Sequence, residues 1–252
     1  MNLVSNNVHL HISHPSEISD PGLLQKYESL LTDKELEKMS RFLFPRHRLQ
    51  YLVTRALVRI TLSHYCQLDP GELRFLSNRF GKPDLISQKR DFPIQFNLSH
   101  TNDLVVCGVV LGQDIGVDVE DLNRSTISAY KSLSRYFSAQ EIKALNRLPE
   151  AAQKQRFFDY WTLKESYIKA RGLGLSIPLD KFAFEFQNNS LKGIAIDPDL
   201  GDDAAAWQFW RIPIADRYLV AVAIKGGERE FRISAVKTVP LQSIDPISLD
   251  FL

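Results

Sequence analysis

Cysteine is scarce in this chain: its 252 residues include only two, Cys66 and Cys107, which lie far apart and in apolar stretches. Two such residues cannot build a disulfide framework, so we expect buried free thiols and a reducing compartment. The sequence also lacks any run that approaches the ~20 apolar residues of a membrane span. Its N-terminus lacks the basic region and long apolar core of a signal peptide. We therefore expect a soluble, cytoplasmic protein.

A strong charge of either sign is missing too. The 31 basic and 30 acidic residues give a net charge of +1 at pH 7. This balance provides no argument for a nucleic acid or a membrane as the main partner. Hydrophobic residues make up 44% of the chain, which is enough for one large domain or two compact ones with real cores.

Hydrophobic periodicity and turn residues predict a mixture of helices and strands. Helices are predicted at 30–44, 46–66, 138–145 and 150–171. Strands are predicted at 8–12, 94–101, 104–112, 115–121, 177–186, 207–214 and 217–225. Short turns separate the three strands between 94 and 121, which is typical of an antiparallel meander.

Helices and antiparallel strands occur in both halves of the chain, which predicts an α+β fold of two lobes with a boundary near Gly112–Gly116. We assign residues 1–113 to an N-terminal lobe, 114–228 to a C-terminal lobe and 229–252 to a tail. The tail combines an alternating stretch, FRISAV, with prolines. We expect it to be either a poorly ordered end or a strap over the surface.

The helix at 150–171 carries a carboxylate on its apolar face. Glu165 comes four residues after Trp161 and three before Ile168, so the three side chains share one face. An unpaired carboxylate there is costly to desolvate. Either Lys169, one turn later, neutralises Glu165 in an ion pair, or this face opens on a metal ion or a cleft. The helix alone does not decide between these interpretations.

Two further carboxylates, Asp118 and Glu120 of GVDVED, alternate along a predicted strand and point to the same side. The plain interpretation is a solvated strand face. The chemical one is a cation between them, because Mg²⁺ takes one or two carboxylates together with phosphates and water. With Glu165 they could supply three acids to one Mg²⁺, and Lys169 could then contact a substrate phosphate.

A phosphate-bearing substrate needs further cations. Arg48, Arg55 and Arg59 fall at spacings of seven and four on the helix at 46–66 and share a stripe, which a solvated basic face would also explain. Lys82 lies in a GKP turn, where the backbone can approach a ligand closely. The next strand ends with Ser99 and His100, and His100 is a plausible phosphate contact.

Two other motifs have simpler interpretations. His9 and His11 share one face of a strand, and without a third ligand we prefer a solvated face to a metal site. Ser138 followed by Glu141 matches a helix capping box, which explains Glu141 without any chemistry, and a catalytic role for Glu141 is kept as the alternative.

Six motifs follow one another in a fixed order: GKP (81–83), NLSH (97–100), GVDVE (116–120), FSAQE (137–141), WTLKESYIK (161–169) and GLGL (172–175). In this order they resemble the motifs of the 4′-phosphopantetheinyl transferases of the Sfp type, named for the protein that activates surfactin synthetase. The resemblance spans roughly residues 40–185. WxxKExxxK after GxDxE at this distance is a specific signal.

The resemblance implies an enzyme that moves the phosphopantetheine arm of coenzyme A onto a serine of an apo acyl or peptidyl carrier protein. The other product would be adenosine 3′,5′-bisphosphate, as in a holo-carrier-protein synthase. The implied fold has two similar lobes related by a pseudo-twofold axis, with coenzyme A and Mg²⁺ in the cleft between them. The implied partners are coenzyme A and, transiently, the carrier protein, and two joined lobes favour a monomer.

Residue roles follow from position in these motifs. Asp118, Glu120 and Glu165 match the Mg²⁺ carboxylates, and Lys169 matches a lysine that contacts phosphate. The coenzyme A contacts implied by the resemblance are Arg48, Arg55, Lys82, Ser99, His100, Lys164 and Lys169. Glu165 also matches a residue considered as the base for the carrier serine. One carboxylate cannot be a tight metal ligand and a free base at once, so we favour the ligand role and leave the base open.

Two alternatives are kept: another Mg²⁺-dependent phosphate-transfer enzyme and a non-catalytic module that binds carrier proteins. Neither a Walker loop nor a Nudix-like acidic helix is present in the sequence, which argues against the first. Intact carboxylates and the intact Lys169 argue against the second. The sequence does not distinguish fatty-acid, polyketide and nonribosomal-peptide carriers.

Overall fold

The computed structural model describes residues 3–86, 93–123, 132 and 136–252. Its helices are α1 (Pro21–Ser29), α2 (Asp33–Ser40), α3 (Pro45–Cys66), α4 (Ala139–Asn146) and α5 (Glu150–Arg171). Its strands are β1 (Asn7–Ser13), β2 (Phe75–Ser77), β3 (Pro83–Leu85), β4 (Ile94–Thr101), β5 (Leu104–Leu111), β6 (Ile115–Asp121), β7 (Phe182–Gln187), β8 (Ser190–Ile196), β9 (Trp207–Ile214), β10 (Tyr218–Lys225), β11 (Arg232–Val239) and β12 (Ser243–Ile247). None of these helices is long and apolar enough to cross a membrane.

One topology occurs twice along the chain. In each half a strand is followed by a helix of 22 residues, a β-hairpin and two more strands: β1, α3, β2–β3, β4 and β5, then β6, α5, β7–β8, β9 and β10. The strand order is equivalent as well, β1-β5-β4 in the first half and β6-β10-β9 in the second. The predicted α+β fold of two similar lobes is therefore confirmed, although no repeat is visible in the sequence.

The two lobes share a hydrophobic core. Val8 and Leu10 of β1 and Val106 of β5 pack in one buried cluster with Val117 of β6 and Val220 of β10. A second core packs α5 against the other face of the β6–β10–β9 sheet, and a third packs α3 against the N-terminal sheet. Each sheet is thus covered on both faces, which fixes the two lobes against each other.

The predicted meander of three strands is wrong at its third member. β4 and β5 form an antiparallel pair, but β6 pairs with β10 in the second sheet. Side chains of β4 accept hydrogen bonds from two backbone N–H groups on the edge of β6 that faces β4. Val117 N–H donates to Asn97 Oδ1 at 2.9 Å, and Val119 N–H donates to Ser99 Oγ at 3.2 Å. Where the lobes meet, side-chain hydrogen bonds between β4 and β6 therefore take the place of the backbone hydrogen bonds of a sheet.

The preferred interpretation of His9 and His11 as a solvated face is also wrong. Both side chains are buried against α3, and the Tyr65 hydroxyl lies 2.7 Å from His9 Nδ1 and 2.8 Å from His11 Nε2. His11 Nδ1 lies 3.0 Å from Thr238 Oγ1 of β11. Burial, together with neighbouring positive charges, lowers the pKa of His11 to about 3, so this ring is neutral at pH 7.

The tail is part of the sheet. β11 pairs in parallel with β1, from Asn7 opposite Arg232 to Ile12 opposite Lys237, and β12 pairs with β11. A poorly ordered end is therefore wrong for this segment, which makes β1 a central strand. The predicted helix at 30–44 is shorter than expected: α2 ends at Ser40, and Pro45 begins α3, a position that suits its fixed φ angle.

β6 passes very close to α5 at Gly116. A Cβ atom built on Gly116 would lie 1.9 Å from the carbonyl oxygen of Ser166 and 2.4 Å from the amide nitrogen of Ala170. Only glycine fits between a strand and a helix backbone at this distance. This close approach brings Asp118, two residues later, against the last turns of α5.

We predict that Gly116→Ala lowers the free energy of unfolding by about 1–3 kcal/mol or more, because the added methyl group forces the strand away from the helix. Urea unfolding monitored by circular dichroism measures the change. Gly22→Ala, at an exposed position in the first turn of α1 where a Cβ meets only ordinary contacts, is the matched control and should not destabilise the protein. Wild-type stability for Gly116→Ala would contradict the packing described here.

Candidate active site

Three polar side chains from three elements meet where the lobes join: Ser99 of β4, Asp118 of β6 and Lys169 of α5. We call them the junction cluster. Lys169 Nζ lies 2.6 Å from Asp118 Oδ1 and 2.9 Å from Ser99 Oγ, and Ser99 Oγ donates to Asp118 Oδ1 at 3.0 Å. The Asp118 side chain is only 7% exposed, whereas that of Lys169 is 28% exposed. A buried carboxylate therefore faces a cation that can still reach solvent.

Glu165 lies beside this cluster. The ion pair with Lys169, one of the two interpretations left open by the sequence, is not formed in the described part of the chain, where Lys169 pairs with Asp118 instead. Burial, and then the negative charge of Asp118, raise the pKa of Glu165 above its ordinary value, and Lys169 opposes them. Two carboxylates are therefore close enough to repel each other. Such a pair is stabilised by a further cation.

Glu120 is held on the same side of β6. Trp161 of α5 donates its indole N–H to Glu120 Oε1 at 3.0 Å, so Asp118 and Glu120 both face α5. The plain interpretation of these residues as a solvated strand face is wrong, since Asp118 is buried. From the sequence, Trp161 was expected only to mark the apolar face of α5, and its place at the start of the WTLKESYIK motif was the signal for a further role.

The donor set would suit a Mg²⁺ ion that takes its remaining ligands from phosphate oxygens and water. Among the described residues, no three His, Cys, Asp or Glu side chains are already grouped as metal ligands. The second carboxylate oxygen of Asp118 is nevertheless buried without a hydrogen-bond partner in the same part of the chain. Mg²⁺ needs only one or two carboxylates when phosphate oxygens and water supply the rest. Asp118 and Glu165, with Glu120 beside them, meet that requirement.

A cleft of about 220 Å³ opens next to the cluster and is lined by residues of the GKP turn, β4 and α5, among them Lys82, Asn97, Glu165 and Lys169. Lys82 does not point freely into it, because its Nζ donates to the carbonyl oxygens of Ala170 at 2.7 Å and Ile115 at 3.3 Å. The turn therefore also acts as a clamp that connects the N-terminal lobe to α5 and β6.

The arginines of α3 are not the solvated basic stripe that their spacing allowed. Arg55 and Arg59 both form ion pairs with Glu35 of α2, and Arg59 is only 2% exposed. Arg48 is exposed and donates to the Phe42 carbonyl oxygen at 2.7 Å. His100 is exposed at the end of β4. The contacts described for Arg48 and Arg55 do not bring them to the junction cluster.

Lys164 lies away from the cluster, on a buried side of α5. Its Nζ is 2.8 Å from Glu141 Oε2, with both side chains 0% exposed, and it donates to the carbonyl oxygens of Leu179 and Phe182 at 2.7 and 2.6 Å. Glu141 also caps α4: its carboxylate accepts from the Ser138 N–H, as the predicted capping box requires. The capping role of Glu141 is confirmed, and Lys164 is a partner of that carboxylate.

Arg46, which is not among the site residues predicted from the sequence, lines a second cavity of about 390 Å³ with His47, Gln50 and Arg217. The Gln50 side chain donates to the carbonyl oxygen of Thr101, the residue that follows His100. The only sequence signal for this position was an arginine directly after the helix-starting Pro45.

Comparison with known proteins identifies the family of this chain. A family model described as the 4′-phosphopantetheinyl transferase superfamily matches residues 114–223, and one described as the N-terminal part of 4′-phosphopantetheinyl transferase matches residues 21–110. The 4′-phosphopantetheinyl transferase HetI of Nostoc sp. is 31% identical over 90% of this chain and 91% of its own length. The chain belongs to the 4′-phosphopantetheinyl transferase superfamily.

Other members of the superfamily are similar as well. The 4′-phosphopantetheinyl transferase Sfp of Bacillus subtilis is 32% identical over 69% of this chain and 75% of its own length. A crystal structure of a holo-(acyl-carrier-protein) synthase from Bacillus anthracis in complex with coenzyme A (3′,5′-ADP) has 17% identity and a TM-score of 0.38, covering 46% of this chain and 96% of that one. At that level the structural likeness carries no weight of its own.

We predict that Lys164→Met lowers the free energy of unfolding by about 3–5 kcal/mol, because it leaves the Glu141 carboxylate buried without its cation. Lys143→Met, the same substitution at an exposed lysine of α4, is the control and should change stability by about 0.5 kcal/mol or less. Urea unfolding compares the two variants. If Lys164→Met is as stable as the control but binds coenzyme A more weakly, the buried pair is not a structural element and the ligand role implied by the resemblance is correct.

Proposed function

We propose that this protein transfers the 4′-phosphopantetheine group of coenzyme A to a serine of an apo carrier protein in a Mg²⁺-dependent reaction. The observation that carries the proposal is the junction cluster with its neighbour Glu165: one buried and one half-buried carboxylate beside an accessible lysine, next to a cleft between the lobes. Membership of the superfamily supports the reaction type. The site supplies what transfer at a pyrophosphate needs, namely a metal-binding pair and a cation for the phosphate.

In this reaction the serine hydroxyl attacks the phosphorus next to the pantetheine arm. A new phosphorus–oxygen bond forms to the serine, the bond to the bridging pyrophosphate oxygen breaks, and adenosine 3′,5′-bisphosphate leaves with that oxygen. Bound Mg²⁺, held by Asp118 and Glu165 with Glu120 beside them, would neutralise charge on the pyrophosphate. Lys169 donates to a phosphate oxygen from its position at the edge of the cluster. The serine proton is released to water. We assign no general base for this proton transfer, because Glu165 as a metal ligand is not free to accept it.

The proposed coenzyme A site extends from the junction cluster along β4. Ser99 and His100 lie at the end of that strand, and Lys82 holds the GKP turn beside the cleft. Arg48 and Arg55 remain proposed contacts for the 3′-phosphate end, and Arg55 would have to exchange its ion pair with Glu35 for the ligand. We leave Lys164 out of the proposed contacts, because its ammonium group already has three buried partners.

We further propose that the lobes divide near residue 113 and that the C-terminal lobe is followed by the tail at 229–252, which completes the N-terminal sheet. Both lobes contribute to one cleft, so a monomer in the cytoplasm is sufficient for the reaction. The carrier protein is a transient partner. No observation favours a nucleotide pyrophosphatase or a non-catalytic binding module over the transferase.

Intact-protein mass spectrometry tests the proposal. An apo carrier protein incubated with this protein, coenzyme A and Mg²⁺ should gain the mass of one phosphopantetheine arm, and EDTA should abolish the gain. Apo carriers from fatty-acid, polyketide and nonribosomal-peptide synthesis should be tried in parallel. No mass gain on any of them would contradict the proposal.

Glu165→Gln provides the matched test of the site. We expect it to fold normally, since Glu165 is only half-buried, and to lose roughly a hundredfold or more in Mg²⁺-dependent turnover. Glu185→Gln, at an exposed glutamate of β7 outside the site, should retain turnover. Turnover of Glu165→Gln equal to that of the control would show that Glu165 is not a metal ligand.

A further inference from the structure

The turn between β2 and β3 of the N-terminal lobe lies against the end of α5, a helix of the other lobe. A Cβ atom built on Gly172, the residue that caps α5, would lie 2.9 Å from Lys82 Cδ and 3.2 Å from Asn78 Nδ2. The turn also forms one wall of the cleft next to Glu165 and Lys169. Two roles fit this place: binding the substrate, or holding the end of the helix.

Two side chains of this turn donate to carbonyl oxygens at the end of α5, where a helix provides no partners of its own. The Gly172 N–H bonds back to two other carbonyl oxygens of the last turn. Lys82 Nζ donates to the Ala170 oxygen at 2.7 Å. Asn78 Nδ2 donates to the Gly172 oxygen at 2.6 Å. The turn thus caps a helix of the opposite lobe, and a cation at this end also interacts favourably with the helix dipole.

Asn78 also fixes the shape of the turn. Its Oδ1 accepts the backbone N–H groups of Phe80 at 2.9 Å and of Lys82 at 3.0 Å. An asparagine that closes a turn in this way has its side chain held by the local backbone. The amide N–H that reaches Gly172 is therefore held in place by the oxygen of the same amide group.

Lys82 holds both elements that meet at the lobe junction. Besides Ala170 of α5, its ammonium group donates to the carbonyl oxygen of Ile115 of β6 at 3.3 Å. Ile115 comes directly before Gly116, where β6 lies on the backbone of α5. Two of the three N–H donors of this lysine are thus used by the protein itself. These bonds favour the helix-holding role over substrate binding.

Lys169 belongs to the turn of α5 that these contacts hold. It comes directly before Ala170, and its Nζ lies 2.6 Å from Asp118 Oδ1. A misplacement of about 1 Å in a reacting geometry can cost roughly a hundredfold in rate. We infer that Asn78 and Lys82 are positioning residues, which cap α5 from the other lobe and thereby keep Lys169 in the junction cluster. The inference rests on the proposed function, in which Lys169 donates to a phosphate oxygen.

Asn78→Asp tests the cap without opening the turn, because aspartate keeps both acceptor bonds and loses only the donor to Gly172. Hydrogen exchange measured by mass spectrometry should be faster by about threefold or more in a peptide that covers residues 168–172. Asn6→Asp, the same substitution at an exposed residue before β1, is the control and should leave this peptide unchanged. Exchange at the wild-type rate in Asn78→Asp would overturn the inference.

Lys82→Met separates positioning from substrate binding. A positioning role predicts that kcat for carrier modification falls by about tenfold, while KM for coenzyme A changes by less than about threefold. The same division is expected for Asn78→Asp, so the test does not depend on the folding of Lys82→Met. A raised KM with unchanged kcat would mean that the turn binds coenzyme A, and would overturn the inference.

A double variant shows whether the effect passes through Lys169. When Lys169→Met is already present, Asn78→Asp should lower kcat no further, because the group that it positions is gone. A further loss as large as that in the wild-type background would show that Asn78 acts elsewhere, and would overturn the inference. If the wild-type protein modifies no carrier while Asn78→Asp still exchanges faster, the proposed function is wrong and the cap on α5 is supported.

Discussion

The burial of Asp118 is the constraint on which the rest of the candidate site depends. A carboxylate that is almost fully removed from water must be paired with a cation or with strong hydrogen-bond donors. Here Lys169 and Ser99 provide both, and they come from different lobes. The contact is possible only because Gly116 lets β6 lie directly on the backbone of α5. One buried charge thus connects strand, helix and the neighbouring lobe at the place where substrate is proposed to bind.

The shared core explains how this junction is kept rigid. Apolar residues of β1 and β5 pack directly against those of β6 and β10, so the lobes are halves of one packed unit. The Lys82 clamp on the end of α5 and the side-chain hydrogen bonds from β4 to β6 add polar links across the same boundary. A site built on such elements is held in place before the substrate arrives, which reduces the cost of organising it during the reaction.

Local patterns in the sequence predicted the helices and strands of the site well, because these elements depend on residues that are close together in the chain. The helix with Glu165 and Lys169 on one side, the strand with Asp118 and Glu120 on one face, and the Glu141 capping box all follow from spacing alone. Contacts between distant segments were not predictable in this way. The pairing of β6 with β10 and of β11 with β1 joins residues more than 90 positions apart, and the burial of His9, His11 and Lys164 follows from those pairings and from packing. The motifs that resemble the family selected the residues of the candidate site, but only the fold showed that Lys169 pairs with Asp118.

The central claim is that the carboxylates beside Lys169 and the pyrophosphate of coenzyme A bind one divalent cation together. The most direct measurement is the affinity of the wild-type protein for Mn²⁺, as a paramagnetic substitute for Mg²⁺, determined by electron paramagnetic resonance with and without coenzyme A. The account predicts that saturating coenzyme A increases Mn²⁺ affinity by on the order of tenfold or more, because the protein alone supplies an incomplete ligand set and the two ligands must favour each other reciprocally. The same Mn²⁺ affinity with and without coenzyme A would contradict it.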